Sequence, residues 1–261
     1  MASLLATILT GLFFLRVTKN YVHWLGIARP TRAALGRFVG LSGWFLVWRL
    51  VMQFMLASDA LLLGIFASVS LVTSYSLTKY LPETLVNLVA IVAFGIAPGL
   101  GGIIGAGDLR KATAVRGEIQ LFTWYVATLL GSLTLLWNDE FLRLWVGPNY
   151  HAGMAENLLL MVMVLQFVLI RNDGNVIDLT LNPRRKVILG VLSILLSTGS
   201  AMLLMKLLES KIVGLCAGII VGRLLLTISY PLIVGRFLQI GFPQQLRAAL
   251  RPGLVTFIFF S

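Results

Sequence analysis

Residues 187–208 form the run VILGVLSILLSTGSAMLLMKLL, which has 22 residues and a single charged side chain, Lys206. A helix needs about 20 predominantly apolar residues to cross the hydrocarbon core of a bilayer. A run of this length with so little charge is typical of a transmembrane helix, because core helices of soluble proteins alternate apolar and polar faces. The run therefore predicts one membrane-spanning helix.

Five further runs have the length and apolar character of full spans: residues 38–58, 72–104, 119–137, 154–179 and 212–234. Two incomplete ones lie at the ends of the sequence, residues 3–15 and 253–261. Met1–Val17 lacks the basic start and the small-residue cleavage site of a signal peptide, so it also predicts a membrane helix. We predict an all-α polytopic membrane helix bundle with six full transmembrane helices and two partial ones.

The composition excludes several other classes of protein. Of the 261 residues 58% are hydrophobic and only 12% are charged, which is too little charge to cover a soluble domain. The lone Cys216 excludes a disulfide framework and a cysteine-based zinc site. The net charge of +11 would suggest a nucleic-acid partner in a soluble protein, so the position of the basic residues has to decide.

Those positions indicate membrane topology, since Lys and Arg in short loops favour the cytoplasmic side. If residues 59–71 do not cross, 14 basic residues fall on one side and 4 on the other, among them Lys79 near the outer end of its span. If they cross, the split becomes 9 against 9. We therefore predict that 59–71 is an outer-surface or re-entrant connection beginning at Asp59, and that nucleic acid is not a partner. The loops predicted to be cytoplasmic are 18–37, 105–118, 182–187 and 235–252.

The first of these loops is a basic segment with interleaved apolar side chains, Tyr21, Val22, Trp24, Leu25 and Ile27. This pattern is typical of an amphipathic linker on the membrane surface. The predicted organisation is a partial transmembrane helix over 1–17, a basic amphipathic cytoplasmic linker over 18–37 and a transmembrane bundle over 38–261. Within the outer loop 138–153, Asp139–Trp145 is predicted to be a separate short amphipathic piece.

No motif predicts an enzyme, a metal site or a cofactor site. Asp139 and Glu140 are adjacent and point in different directions on a helix, which favours a role at a helix start. The glycine run 99–105 lies in an apolar helix, and no Gly-Lys-Ser/Thr follows it. Glycines at this spacing favour close helix packing, which we predict for two sets of residues. They are Gly95, Gly99, Gly101 and Gly105 in one span and Gly214, Gly218 and Gly222 in another.

Charged residues inside the spans are the most informative feature. Arg49 and Arg223 are each the twelfth residue of their span, and Arg171 and Glu83 also lie within theirs. An arginine at the centre of a membrane helix costs roughly 2.5–3.5 kcal/mol unless it faces protein or water. Residues three, four or seven apart share a helix face, and each of these charges has polar neighbours at that spacing.

We predict that these faces line one hydrated cavity for an anionic, partly sugar-like substrate. Its predicted binding residues are Arg49, Glu83, Arg171, Asn175, Asp178 and Arg223. Its predicted secondary lining is Phe45, Gln53, Tyr80, Asn87, Thr227 and Tyr230.

The alternative is internal ion pairing. In that case Glu83 pairs with Arg49 or Arg223, Asp178 pairs with Arg171 two turns away, and Phe45 is ordinary packing. Asp173 faces the opposite side of its helix from Arg171, so we predict a structural or interface role for it.

The order of the segments resembles a known family. The segments are a helix ending in Asp59, Leu61–Gly64, Tyr75 opening the next helix, Pro98, Gly107–Asp108, Phe141–Tyr150 (FLRLWVGPNY), Leu181–Lys186 and Ile212–Leu215. In this order they are similar to the polysaccharide-biosynthesis flippases. These are the Wzx-like O-antigen transporters of the multidrug/oligosaccharidyl-lipid/polysaccharide exporter superfamily, which also contains the MATE-like exporters. The likeness is specific in the order of these segments more than in any one motif.

The resemblance implies a second lobe of a two-bundle flippase, preceded by the end of a first bundle. It implies that the first five helices are missing and that the last helix is incomplete, so a partner or a longer chain is expected to supply the first bundle. It further implies export of an undecaprenyl-diphosphate-linked oligosaccharide across the bacterial inner membrane by alternating access, in lipopolysaccharide or other surface polysaccharide synthesis. Arg49, Arg171 and Arg223 would then attract the diphosphate, and Tyr80, Asn175, Tyr230 and Phe45 would contact sugars.

Three other functions stay open. A cation-coupled small-molecule (drug) antiporter of the same superfamily would use Glu83 or Asp178 to bind Na⁺ or H⁺. A non-transporting, truncated assembly partner would need no cavity. A membrane glycosyltransferase or polymerase is expected to have a longer outer loop than 138–153.

Overall fold

Each apolar run of the sequence forms the middle of a longer α-helix. The computed structural model describes residues 2–21 and 31–260, and this part contains eight helices and no strand. Six of the helices, α2 to α7, are long and apolar enough to cross a membrane. The predicted all-α polytopic membrane bundle is confirmed. In chain order the helices are α1 (Ala2–Tyr21), α2 (Arg32–Phe66), α3 (Val69–Gly105), α4 (Leu109–Trp145), α5 (Met154–Leu179), α6 (Arg184–Leu207), α7 (Lys211–Leu238) and α8 (Phe242–Phe260).

The chain divides into two compact units, Met1–Ser42 and Gly43–Ser261. The first contains α1 and the first turns of α2, and the second contains the rest of α2 and all later helices. Residues 22–30, which include most of the predicted amphipathic linker, lie outside the described residues. The cavities described below are lined by residues of the second unit.

The connection between α2 and α3 differs from the prediction. Residues 59–66 continue α2, and α3 begins at Val69 after Ser68 caps it, with Ser68 Oγ accepting a hydrogen bond from the Leu71 amide at 3.3 Å. The prediction that a helix ends at Asp59 is therefore wrong. A buried aspartate is tolerated inside the helix because side chains of α3 neutralise it, as described below.

Helices also occupy much of the predicted loops. Asp108 caps α4 by accepting a hydrogen bond from the Lys111 amide at 3.0 Å, so the helix already begins at Leu109. At its other end α4 continues to Trp145, so Asp139–Trp145 is the end of this helix and not a separate piece. Similarly, α8 begins at Phe242, inside the predicted loop 235–252. The cytoplasmic location of these segments stays a prediction.

Helices α5 and α7 form the interior of the bundle. Half of the membrane-crossing window of each is buried, against 28% or less in the other four candidate spans. The outer helices instead expose large apolar side chains, such as Leu195 and Leu203 of α6. Such exposure suits a surface surrounded by lipid, because acyl chains are as apolar as leucine.

Small residues bring α6 and α7 together. A Cβ added at Gly214 would meet the backbone of Leu204 at 2.7 Å, and one at Gly218 or Gly222 would overlap the backbone of Ala201 or Ser197. The predicted close packing of Gly214, Gly218 and Gly222 is thus confirmed. For the other predicted set it is wrong: among the described residues nothing lies within 4 Å of a Cβ at Gly95, Gly99 or Gly105, and Gly101 has only an ordinary contact with Leu179.

A proline inside α3 is matched by a side chain of α4. Pro82 has no amide hydrogen, so the carbonyl of Thr78 one turn earlier lacks its helical partner. The Nδ2 group of Asn138 donates a hydrogen bond to this carbonyl at 2.8 Å. An unpaired carbonyl is costly in a bilayer, and this bond fixes α4 against α3.

Candidate functional site: a cavity with two unpaired arginines

The second unit contains a polar cavity of about 250 Å³ between α2, α3, α5 and α7. We call it the arginine cavity. It is lined by Met55, Leu56, Asp59, Lys79, Glu83, Val86, Asn87, Met163, Val164, Phe167, Arg171 and Arg223. Five of these twelve side chains are ionisable, an unusual density for helices of this hydropathy.

Asp59 is the most deeply buried charge of the cavity wall, at 1% exposure. Its Oδ2 accepts hydrogen bonds from the Tyr75 hydroxyl and from Nζ of Lys79, both at 2.6 Å, and its Oδ1 accepts one from the Ala60 amide at 2.8 Å. A buried carboxylate needs such partners, because leaving it without them would cost several kcal/mol. These bonds join α2 to α3.

Lys79 also holds a second carboxylate. Its Nζ lies 2.9 Å from Oε1 of Glu83, one turn further along α3. The two carboxylates differ in burial: the Asp59 side chain is 2% exposed and that of Glu83 is 48% exposed. Lys79 therefore pairs with one buried carboxylate, Asp59, and with one half-exposed carboxylate, Glu83.

Arg223 lies on the opposite wall, in α7, and is 5% exposed. Its Nη2 donates a hydrogen bond to the Met55 carbonyl at 2.7 Å, and its guanidinium carbon lies 5.3 Å from the centre of the Phe167 ring. The hydrogen bond uses one of its five N–H donors, and neither contact supplies a negative charge. Within the described residues Arg223 has no carboxylate within ion-pair distance.

Arg171 completes the cavity from α5. Its guanidinium carbon lies 5.2 Å from the centre of the Phe94 ring, and it too has no carboxylate partner in the part of the chain that the structure describes. The arginine cavity thus contains three cations and two carboxylates, and both carboxylates hold the same lysine. Two guanidinium groups are left to face an anion.

The structure brings together only some of the predicted binding residues. Glu83, Asn87, Arg171 and Arg223 line the arginine cavity. Arg49 and Gln53 are exposed on α2 outside it, and Phe45 and Asn175 also lie outside its lining. Tyr80 is half exposed and packs on Trp145, with ring centres 5.1 Å apart.

The other predicted binding residues, Thr227, Tyr230 and Asp178, make their contacts outside the arginine cavity. Thr227 accepts a hydrogen bond from Gln166 at 3.1 Å, and Tyr230 is fully buried, its hydroxyl donating to the Lys186 carbonyl at 3.0 Å. Asp178 pairs with Nζ of Lys186 at 2.7 Å. None of the three lines the arginine cavity.

The alternative prediction, internal ion pairing, names the wrong partners for Glu83 and Asp178. Glu83 pairs with Lys79 and not with Arg49 or Arg223, because Lys79 is one turn away in the same helix. Asp178 pairs with Lys186 and not with Arg171. The predicted cytoplasmic loop 182–187 contains Lys186, yet the side chain of this residue is only 1% exposed. Its Nζ also donates to the Gly174 carbonyl at 3.0 Å and lies 3.9 Å from the Trp48 ring centre.

The structural role predicted for Asp173 agrees with its surroundings. Its carboxylate accepts two hydrogen bonds from Arg116, at 2.8 and 3.0 Å, and one from Gln120 at 3.1 Å. This bidentate pair fixes α5 to α4. It also borders a second, larger and mainly apolar cavity of about 580 Å³ between α4, α5, α7 and α8.

Two residues of the site were missed in the sequence analysis. The sequence analysis places Asp59 at a helix end and Lys79 near the outer end of its span, and it predicts neither as a binding residue. A signal for Lys79 was present, because Tyr75, Lys79 and Glu83 follow one another at four-residue spacing and so share a helix face. Asp59 had no such local signal, since its partners lie in another helix.

The described residues do not form a metal site. They contain no group of three or more His, Cys, Asp or Glu side chains suited to hold a metal ion. The ionisable groups of the arginine cavity instead suit a ligand with negatively charged oxygens.

No family model, curated protein or solved structure matches this chain.

Proposed function

We propose that this chain is a component of a membrane transporter for an anionic, lipid-linked cargo. In the full form of the proposal, the cargo is an undecaprenyl-diphosphate-linked oligosaccharide. It crosses the bacterial inner membrane during surface polysaccharide synthesis, as in O-antigen export. The observation that carries the proposal is the pair of guanidinium groups, Arg171 and Arg223, that face one cavity without a carboxylate partner within the described residues.

The physical argument begins with the cost of these charges. Each arginine inside a membrane helix is unfavourable unless it has a partner or water. A ring face and one backbone carbonyl compensate part of this cost for Arg223, and a ring face does so for Arg171. A diphosphate supplies the missing negative charge, and its oxygens match the planar donors of a guanidinium.

The setting of the cavity supports transport in preference to storage or a purely structural role. It lies between helices from different parts of the chain, α2 and α3 on one side and α5 and α7 on the other. Sites at such positions suit alternating access, in which groups of helices rock around a binding site. The resemblance to Wzx-like flippases supports the same mechanism, with a second bundle supplied by a partner or by further sequence.

The competing cation-coupled antiporter is less well supported. A coupling Na⁺ or H⁺ would bind at a carboxylate of the arginine cavity, and Lys79 pairs with both of them, Asp59 and Glu83. Even beside a released Glu83, a coupling cation would meet the positive charges of Lys79, Arg171 and Arg223 in the same cavity. An anionic cargo is therefore the better proposal.

Transport is tested by reconstituting the chain, together with the proteins that copurify with it from its native membrane, in liposomes that contain a fluorescent polyprenyl diphosphate sugar, with dithionite added outside to reduce the accessible label. We expect the labelled fraction in the inner leaflet to become accessible faster than in protein-free liposomes. Arg171→Gln is expected to slow this about tenfold or more, since charge-assisted hydrogen bonds contribute about 1.5–3 kcal/mol. Arg49→Gln is the matched control, because Arg49 is a span arginine outside the cavity. Equal rates with and without the chain would favour the non-transporting assembly partner.

A further inference from the structure

We propose that Glu83 is an internal counter-ion that the anionic cargo displaces from Lys79. In the unliganded cavity Glu83 pairs with Lys79. In the liganded cavity a phosphate of the cargo pairs with Lys79 in place of Glu83. Lys79 then becomes a third cation of the binding site beside Arg171 and Arg223. This inference rests on the proposed function, and it names Glu83 as a residue that sets both the affinity and the selectivity of the cavity.

The first observation is that the two carboxylates on Lys79 are not equivalent. Asp59 accepts three hydrogen bonds from three different groups and is almost fully buried. Glu83 is about half exposed, and Lys79 is its only ion-pair or hydrogen-bond partner within the described residues. Releasing Glu83 costs less than releasing Asp59, because it breaks one ion pair of a half-exposed side chain and leaves no fully buried carboxylate without a partner. Asp59 has no such freedom, so an incoming anion displaces Glu83.

The second observation is the place of Lys79 in the cavity wall. Lys79, Arg171 and Arg223 line the same cavity, from α3, α5 and α7 respectively. An ammonium group has three N–H donors, and the bond to Asp59 uses one of them. Once Glu83 leaves, the other donors face the cavity while Asp59 holds the lysine in position.

This arrangement makes the cavity selective for ligands that carry more than one negative charge. With Glu83 in place, the five ionisable groups of the cavity carry one net positive charge, which attracts any small anion weakly. Displacing Glu83 requires a ligand with enough negative charge to bridge Lys79 and an arginine. A diphosphate has charge at both ends and satisfies this condition, whereas a singly charged carboxylate does not.

The test is calorimetric binding of inorganic diphosphate to the purified chain in nanodiscs at fixed ionic strength, for the wild type, Glu83→Gln and Glu83→Asp. Aspartate keeps the charge but is one methylene shorter, so it reaches a lysine anchored on Asp59 less well. We expect Glu83→Gln to bind about fivefold more tightly and Glu83→Asp about twofold more tightly. Glu118→Gln removes a carboxylate from an exposed position outside the cavity and is expected to leave the affinity unchanged.

The outcomes separate the two proposals. Tighter binding by both Glu83 variants supports displacement. Tighter binding by Glu83→Gln alone means that Glu83 acts only through its charge, which overturns the inference and leaves the cavity an anion site. Unchanged or weaker binding by Glu83→Gln also overturns it. If neither the wild type nor Glu83→Gln binds diphosphate, the proposed function itself fails, and the inference fails with it.

Discussion

The ammonium group of Lys79 lies 2.6 Å from Oδ2 of Asp59, and this buried pair joins α3 to α2 beside the arginine cavity. The same carboxylate oxygen accepts the hydroxyl of Tyr75, so one aspartate organises two side chains of the neighbouring helix. The pair thus places Lys79 at the wall where the two unpaired arginines also lie. This contact therefore fixes one cation of the proposed anion site in the cavity wall.

Removing Lys79 is expected to destabilise the fold. Lys79→Met leaves Asp59 buried without its cation, which costs about 3–5 kcal/mol for a buried pair. The free energy of unfolding, measured in mixed detergent and SDS, should fall by about 3 kcal/mol. Adding Asp59→Asn to the same chain should recover most of this loss, because the asparagine is uncharged: its Oδ1 still accepts a hydrogen bond from the Ala60 amide, and its Nδ2 can donate to the oxygen of the Tyr75 hydroxyl. Equal stability of the single variant and the wild type would contradict the account of this pair.

Lys186 should be equally sensitive although it belongs to a run of three basic residues. Its side chain holds Asp178, the Gly174 carbonyl and the Trp48 ring together at one end of the bundle. We expect Lys186→Met to lower the free energy of unfolding by about 3 kcal/mol in the same assay. Lys206→Met, in the exposed last turn of the same helix, should change it by less than about 0.5 kcal/mol. Similar effects of the two substitutions would show that burial of Lys186 does not matter.

The contact between α6 and α7 makes a prediction about glycine. Gly218→Ala places a methyl group against the backbone of Ala201, and we expect a loss of about 1–3 kcal/mol from overpacking. Gly199→Ala is the control, because nothing lies within 4 Å of an added Cβ there. Since alanine favours helix over glycine by about 1 kcal/mol, this control should be neutral or slightly stabilising. A neutral Gly218→Ala would mean that the two helices pack less closely than described.

The fold was predictable to the extent that it depends on hydropathy. The six spans follow from runs of apolar residues, and the span 154–179 coincides with α5. The helix ends were less predictable, because they depend on caps such as Asp108 and Ser68 and on charges that tertiary contacts neutralise. Asp59 is the clearest case: Ala60 and Leu61–Leu63 after it favour a helix, but the partners that make a buried aspartate tolerable there lie in α3.

The site was only partly predictable for a related reason. A helical face can be derived from spacing, but its orientation depends on the helices around it. For α2, the face with Trp48 and Val51 packs against Gly190 of α6, which leaves Arg49 and Gln53 exposed. The sequence predicts Arg171 and Arg223 as binding residues, and both line the cavity, whereas their neighbours in space come from α2 and α3 and are not encoded in local spacing.

The central claim is that the two unpaired arginines make the cavity an anion site. Its most direct test is the dissociation constant of inorganic diphosphate for the chain in nanodiscs, compared between Arg171→Gln and Arg49→Gln. Both substitutions remove one arginine charge from a membrane-spanning helix, but only Arg171 lines the cavity. We predict binding about tenfold weaker for Arg171→Gln and within about twofold of wild type for Arg49→Gln. Equal weakening by both substitutions, or by neither, would contradict the claim.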